Sequence, residues 1–179
     1  VDVPCELVTE MPVLYIRREE LEFEYESIRY NCNNITTVFN QWKKGVNAGG
    51  QIGNKTFAKN PQFLLDIAGD DPVPLFVSLK QPVNDPRIPL GFKIFPMKDG
   101  QAAPLDLRTA WSDAQYCLLD TNGRSVFVIT YEAGANYMVA PGLYTLIPFT
   151  DKTGMEKQFA LTLGTIQGCS ISHQAFNTV

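Results

Sequence analysis

The chain has 179 residues, 45% hydrophobic and 19% charged, with 13 glycines, 12 prolines and a formal net charge of −4. That profile belongs to one turn-rich globular domain with enough apolar residues for a core, and it excludes a disordered chain. An acidic balance without a long basic block argues against nucleic-acid binding, and no apolar run reaches the length of a membrane-spanning helix.

The start, Val1-Asp2-Val3-Pro4, lacks a methionine, a basic n-region and an apolar h-region. It reads as a piece of a longer protein or a processed chain. Leu21-Glu22-Phe23-Glu24-Tyr25-Glu26 alternates apolar and acidic residues with period two, the pattern of a half-exposed antiparallel strand. Short strands are then expected at 35–42, 62–67, 75–79, 90–95, 114–119, 125–131, 142–148 and 157–163, each bounded by Gly, Pro, Asn or Asp. Thr121-Asn122-Gly123 and Pro141-Gly142 are the strongest turn signals. The stretch 106–114 has some helical character but no apolar stripe, and 167–179 has no clear period.

Regularly spaced short strands predict an all-β fold, an antiparallel β-sandwich of about eight strands. Its core is expected to hold Leu21, Phe23, Tyr25, Val38, Trp42, Phe63, Leu65, Phe76, Leu79, Phe92, Ile94, Val126, Val128, Tyr144, Leu146, Phe159 and Leu161. Trp42 opens a glycine-rich run that closes on Asn60-Pro61-Gln62-Phe63. Glycine suits positive φ and close backbone approach, and Pro61 suits the entry to a strand, so this stretch reads as architecture. Trp42, at the end of an alternating strand, is expected in the core; stacking on a carbohydrate is the alternative.

Little in the chain has the pattern of a reaction centre. Cys5, Cys32, Cys117 and Cys169 are far apart and form no C-x-x-C pair, so zinc is not expected and free thiols in a reducing compartment are. His173 is the lone histidine, four residues from Cys169, with no orienting acid or oxyanion donor in view. The most acidic loop, 66–72, holds Asp66, Asp70 and Asp71. Calcium wants six to eight oxygens, so Asp70 and Asp71 could bind it only weakly unless Asp85, Asp99, Asp120 or Asp151 converges on them. Lys43 and Lys44, with Lys55 and Lys59, flank the glycine run and form a small basic patch suited to weak contact with anionic headgroups.

Taken together, Trp42, Gly45, Ala48-Gly49-Gly50, Phe57 and Asn60-Pro61-Gln62-Phe63 resemble the C2-like third domain of calpains, the sandwich that follows the protease core. Val77, Leu79, Gln81, Gly91-Phe92, Asn122, Arg124-Ser125-Val126, Pro141-Gly142-Leu143-Tyr144, Ile147-Pro148 and 159–163 extend the likeness in order. Gln51 stands where many relatives carry cysteine, and Phe149 where they carry serine. The resemblance covers 35–163; residues 1–34 form an N-terminal extension or extra strand, and 164–179 a tail or linker.

It implies a C2-like sandwich that is not itself catalytic, a regulatory or docking domain contacting other domains of its parent, a protein partner or, weakly, phospholipid, in the cytoplasm. Arg124 is then a candidate for an interdomain ion pair. No cofactor is expected beyond weak calcium. The competing expectation is a secreted adhesion module glycosylated at the sequons Asn34-Ile35-Thr36 and Asn54-Lys55-Thr56.

Overall fold

A computed structural model describes residues 34–97, 117–165 and the backbone of 171–176. The expected strand at 21–26, its glutamates and its core residues Leu21, Phe23 and Tyr25 lie outside the described residues, as do the helical stretch 106–114, Cys5, Cys32, Cys169 and Asp99.

The chain builds a sandwich of two antiparallel sheets. Strands β1 (Asn34–Trp42), β2 (Gln62–Ile67), β3 (Val73–Lys80), β4 (Leu90–Pro96), β5 (Val126–Val128), β6 (Glu132–Val139), β7 (Gly142–Thr150), β8 (Lys157–Thr165) and β9 (Ile171–Phe176) follow in order. One sheet runs β1-β8-β3-β6 and the other β5-β4-β7-β2-β9.

Period-two alternation decides which side chains meet. Leu75, Val77 and Leu79 of β3 and Leu161 and Leu163 of β8 face Phe63 and Leu65 of β2, Phe92 and Ile94 of β4 and Leu146 of β7, all buried in one cluster. Trp42 is 1% exposed, its ring 4.3 Å from that of Phe159, and its indole N–H donates to the Pro148 carbonyl at 3.2 Å. The one polar atom of the indole is therefore satisfied inside the core. Every expected core residue among those described is buried or packs on this cluster; Val38 and Val128 are only partly buried.

A second, smaller cluster lies on the outer face of the five-stranded sheet. Phe95 of β4 and Ile147 and Phe149 of β7 point away from the main core, and Phe57, on a single 3₁₀ turn at Phe57–Lys59, closes over them with Cys117. The glycine-rich loop is thus a lid that makes both faces of β7 apolar.

Three local expectations are corrected. Residues 117–119 are not strand: Leu118 makes one backbone bond, its N–H to the Ile94 carbonyl at 2.8 Å. The segment 125–131 is strand only at β5, and a whole strand, β6, follows it. Within the expected tail 164–179, β8 extends to Thr165 and β9 pairs with β2 from Gln62↔Phe176 to Ile67↔Ile171. Backbone ladder bonds along a sheet edge form without the apolar alternation that sequence reading looks for.

Candidate functional site

Asn60 makes more side-chain bonds to the glycine-rich loop than any other described residue. Asn60, fully buried, accepts the Gly49 N–H on Oδ1 at 3.0 Å and donates from Nδ2 to the carbonyls of Gly50 at 2.8 Å and Phe57 at 2.9 Å. Thr56 Oγ1 donates to the Gly49 carbonyl at 2.8 Å. Only glycine fits at 49, because a Cβ there would overlap the Thr56 carbonyl oxygen, and Gly50 sits at φ 75°. This arrangement positions backbone and offers no reacting group.

Lys43 and Lys44 are exposed where β1 leaves the sheet, and their backbone N–H groups are tied to Asn47 Oδ1 at 2.6 Å and Glu156 Oε1 at 3.0 Å. Lys55 and Lys59 are exposed on the same loop. All four lysines of the basic stretch expected from the sequence are exposed, and the Glu156 carboxylate lies beside Lys44.

Asp70 and Asp71 are exposed on the turn between β2 and β3. Asp85 pairs with Lys157 Nζ at 3.4 Å, and Asp151 accepts from Gln51 Nε2 at 3.4 Å. Asp120 caps its own turn, with Oδ1 accepting the N–H groups of Asn122 at 2.9 Å and Arg124 at 2.7 Å. Among the described residues no three His, Cys, Asp or Glu side chains gather to hold a metal ion. The two carboxylates of Asp70 and Asp71 offer at most four of the six to eight oxygens that calcium takes. His173 stands on β9 in register with Leu65.

Two surfaces stand out; of their residues the sequence singled out only Arg124 as an interaction candidate. The first follows the Asp120 turn. Arg124, its side chain 71% exposed, reaches Asp120 only loosely, Nε to Oδ2 at 3.7 Å. Beside it in the chain Leu119, Phe127 and Ile129 are 51%, 42% and 63% exposed, and Phe127 stacks on Phe149 with centroids 5.9 Å apart. Three large exposed apolar side chains thus fall within eleven residues of chain that also carry a loosely held guanidinium, the composition of a docking surface.

The second surface is the outer face of the four-stranded sheet. Ser78 Oγ donates to Glu132 Oε1, and Lys80 Nζ lies 3.1 Å from Glu132 Oε2, so a nearly buried carboxylate is paired and hydrogen-bonded. In the same row Ala160 stands between Lys80 and Phe39. Its small side chain leaves a groove of about 580 Å³ lined by Phe39, Gln41, Lys80, Pro82 and Gln158. Phe39 is 80% exposed; alternation from Val38 assigns it outward, which is the one signal the sequence held for this face.

Burial raises the hydroxyl pKa of Tyr144 above its usual 10.0, and that hydroxyl donates to the Ala140 carbonyl at 2.7 Å across the Pro141-Gly142 turn. The group is a structural latch of β7 and its turn.

Comparison with known proteins follows the same outline. The family model described as calpain large subunit, domain III, matches residues 38–163. A protein named calpain from Schistosoma mansoni is 30% identical over 166 residues, covering 82% of this chain and 21% of that relative. The chain therefore spans about a fifth of the relative it matches.

Proposed function

The chain belongs to the calpain family, matching its large-subunit domain III, a non-protease domain, and on that premise we propose that it is a docking domain. It would hold another domain of its parent polypeptide, or a protein partner, against residues 119–129. The exposed set Leu119, Phe127 and Ile129 beside Arg124 carries this reading. Arg124 is 71% exposed and lies a loose 3.7 Å from Asp120, whose 8%-exposed carboxylate already accepts two backbone N–H groups, so the guanidinium can turn to a partner's carboxylate without stranding Asp120. The apolar side chains supply the desolvated centre such an anchor needs. The expected partner surface is apolar with a carboxylate at its rim.

Hydrogen exchange tests the reading. Residues 119–129 should exchange more slowly in the full calpain polypeptide than in the domain alone, and Arg124→Glu with Ile129→Asp should abolish the difference. Equal exchange in the two settings would reject this surface as the docking site.

Weak phospholipid contact is a second reading, favoured by the exposure of Lys43, Lys44, Lys55 and Lys59 on one loop. Each contributes on the order of 1 kcal/mol near an anionic membrane, enough to assist association and too little to anchor it alone. Calcium would bind weakly at Asp70 and Asp71, through too few donors for a tight site. A cytoplasmic setting belongs to the same reading, with the buried Cys117 kept as a thiol.

A further inference from the structure

Among the described residues β1 borders the four-stranded sheet, with β8 on one side of it. Its sequence, Asn34-Ile35-Thr36-Thr37-Val38-Phe39-Asn40-Gln41-Trp42, contains no charge, no proline and no glycine, and it is rich in β-branched and aromatic residues. Proteins usually blunt such edges with lysine, proline or bulges, because a bare row of N–H and C=O groups recruits another strand. The opposite border, β6, is interrupted by Gly134 and carries the Glu132 carboxylate. Among the described strands whose burial is given, only β1 combines nine residues with two exposed large apolar side chains on one face, Ile35 at 44% and Phe39 at 80%.

We propose that β1 is a self-association edge: two copies of this chain pair their β1 strands antiparallel about a two-fold axis at Thr37, joining two four-stranded sheets into one. The occupant follows from the strand's own complementarity. With Thr37 opposite Thr37 of the second copy, Ile35 of each copy stands opposite Phe39 of the other, on the outward face. The two apolar side chains that one copy leaves in water are covered by the same two of its partner. Aromatic and β-branched residues directly opposite each other are a favourable cross-strand pair. No like charges meet, since the strand has none, and the contact closes on itself as a two-fold interface requires. The groove beside Phe39 lies on the same outward face and receives the rim of the second copy. This interface lies on the opposite sheet from residues 119–129 and stands or falls without them.

Light scattering coupled to size exclusion reads the result on the chain as it is. The expected mass is twice the 20.0 kDa monomer, falling to one monomer on dilution. Thr37→Lys sets two ammonium groups face to face at the axis and should give a monomer that keeps the β-sheet circular dichroism spectrum of the unsubstituted chain, though it also removes the 2.9 Å hydroxyl contact with Thr162. Thr37→Cys should form a disulfide-linked dimer under mild oxidation, above the level of the unsubstituted chain. A wild-type chain that stays monomeric to its solubility limit would overturn the proposal. So would a dimer that survives Thr37→Lys, or one that Thr37→Cys fails to cross-link.

Discussion

Replacing Asn60 with alanine isolates what the glycine-rich loop contributes. The Asn60 side chain makes three buried hydrogen bonds, to Gly49, Gly50 and Phe57. The Phe57 carbonyl keeps a donor after truncation, because the backbone N–H of residue 60 also reaches it at 3.0 Å. Two groups lose that side chain's bonds, the Gly49 N–H and the Gly50 carbonyl, both on buried residues. Each buried group left unpaired costs about 1–3 kcal/mol, so Asn60→Ala should cost roughly 2–6 kcal/mol. For a domain of this length each kcal/mol lowers the melting temperature by about 2–4 °C, giving a fall on the order of 10 °C. Asn60→Asp, which retains an acceptor for Gly49 but loses both donated bonds and buries a charge, should be no better. Thermal unfolding followed by circular dichroism measures both. A loss below about 1 kcal/mol for Asn60→Ala would show that the loop is fastened by other contacts, and the reasoning fails.

Trp42→Ala should destabilise by about 3–5 kcal/mol through the cavity and the stranded Pro148 carbonyl, with Trp42→Phe costing less; urea denaturation distinguishes them. Tyr144 holds its proton more tightly folded than unfolded, so its contribution is intact below pH 10.0 and is lost as pH rises through the higher folded value. Unfolding measured across alkaline pH should therefore show a decline that Tyr144→Phe removes. Lys43→Ala with Lys44→Ala should weaken binding to anionic phospholipid vesicles by about 2 kcal/mol, roughly 30-fold, with no effect on neutral vesicles.

The sandwich was legible wherever apolar residues alternate: β2 runs over the residues expected of it, and β1, β4, β7 and β8 differ from expectation by a residue or two at their ends. The strand β6 was not legible, because Glu132-Ala133-Gly134-Ala135-Asn136 has weak strand propensity; pairing with β3, from Val73↔Val139 to Lys80↔Glu132, imposes its conformation. The reverse happened at 114–119, where Leu118 and Leu119 suggested a strand and the described part is loop. Asn60-Pro61 announced a turn, yet nothing in a linear sequence shows that the amide of Asn60 spans back to Gly49 and Gly50. The exposure of Phe127 and Ile129 was equally hidden, since strand patterning treats large apolar residues as core and says nothing of which lie past the end of a short strand.

Hydrogen exchange of residues 119–129, compared between the isolated domain and the full calpain polypeptide, addresses the docking function itself. Slower exchange in the full polypeptide, relieved by Arg124→Glu with Ile129→Asp, is the outcome expected. Unchanged exchange there, with protection appearing on other faces, would contradict it.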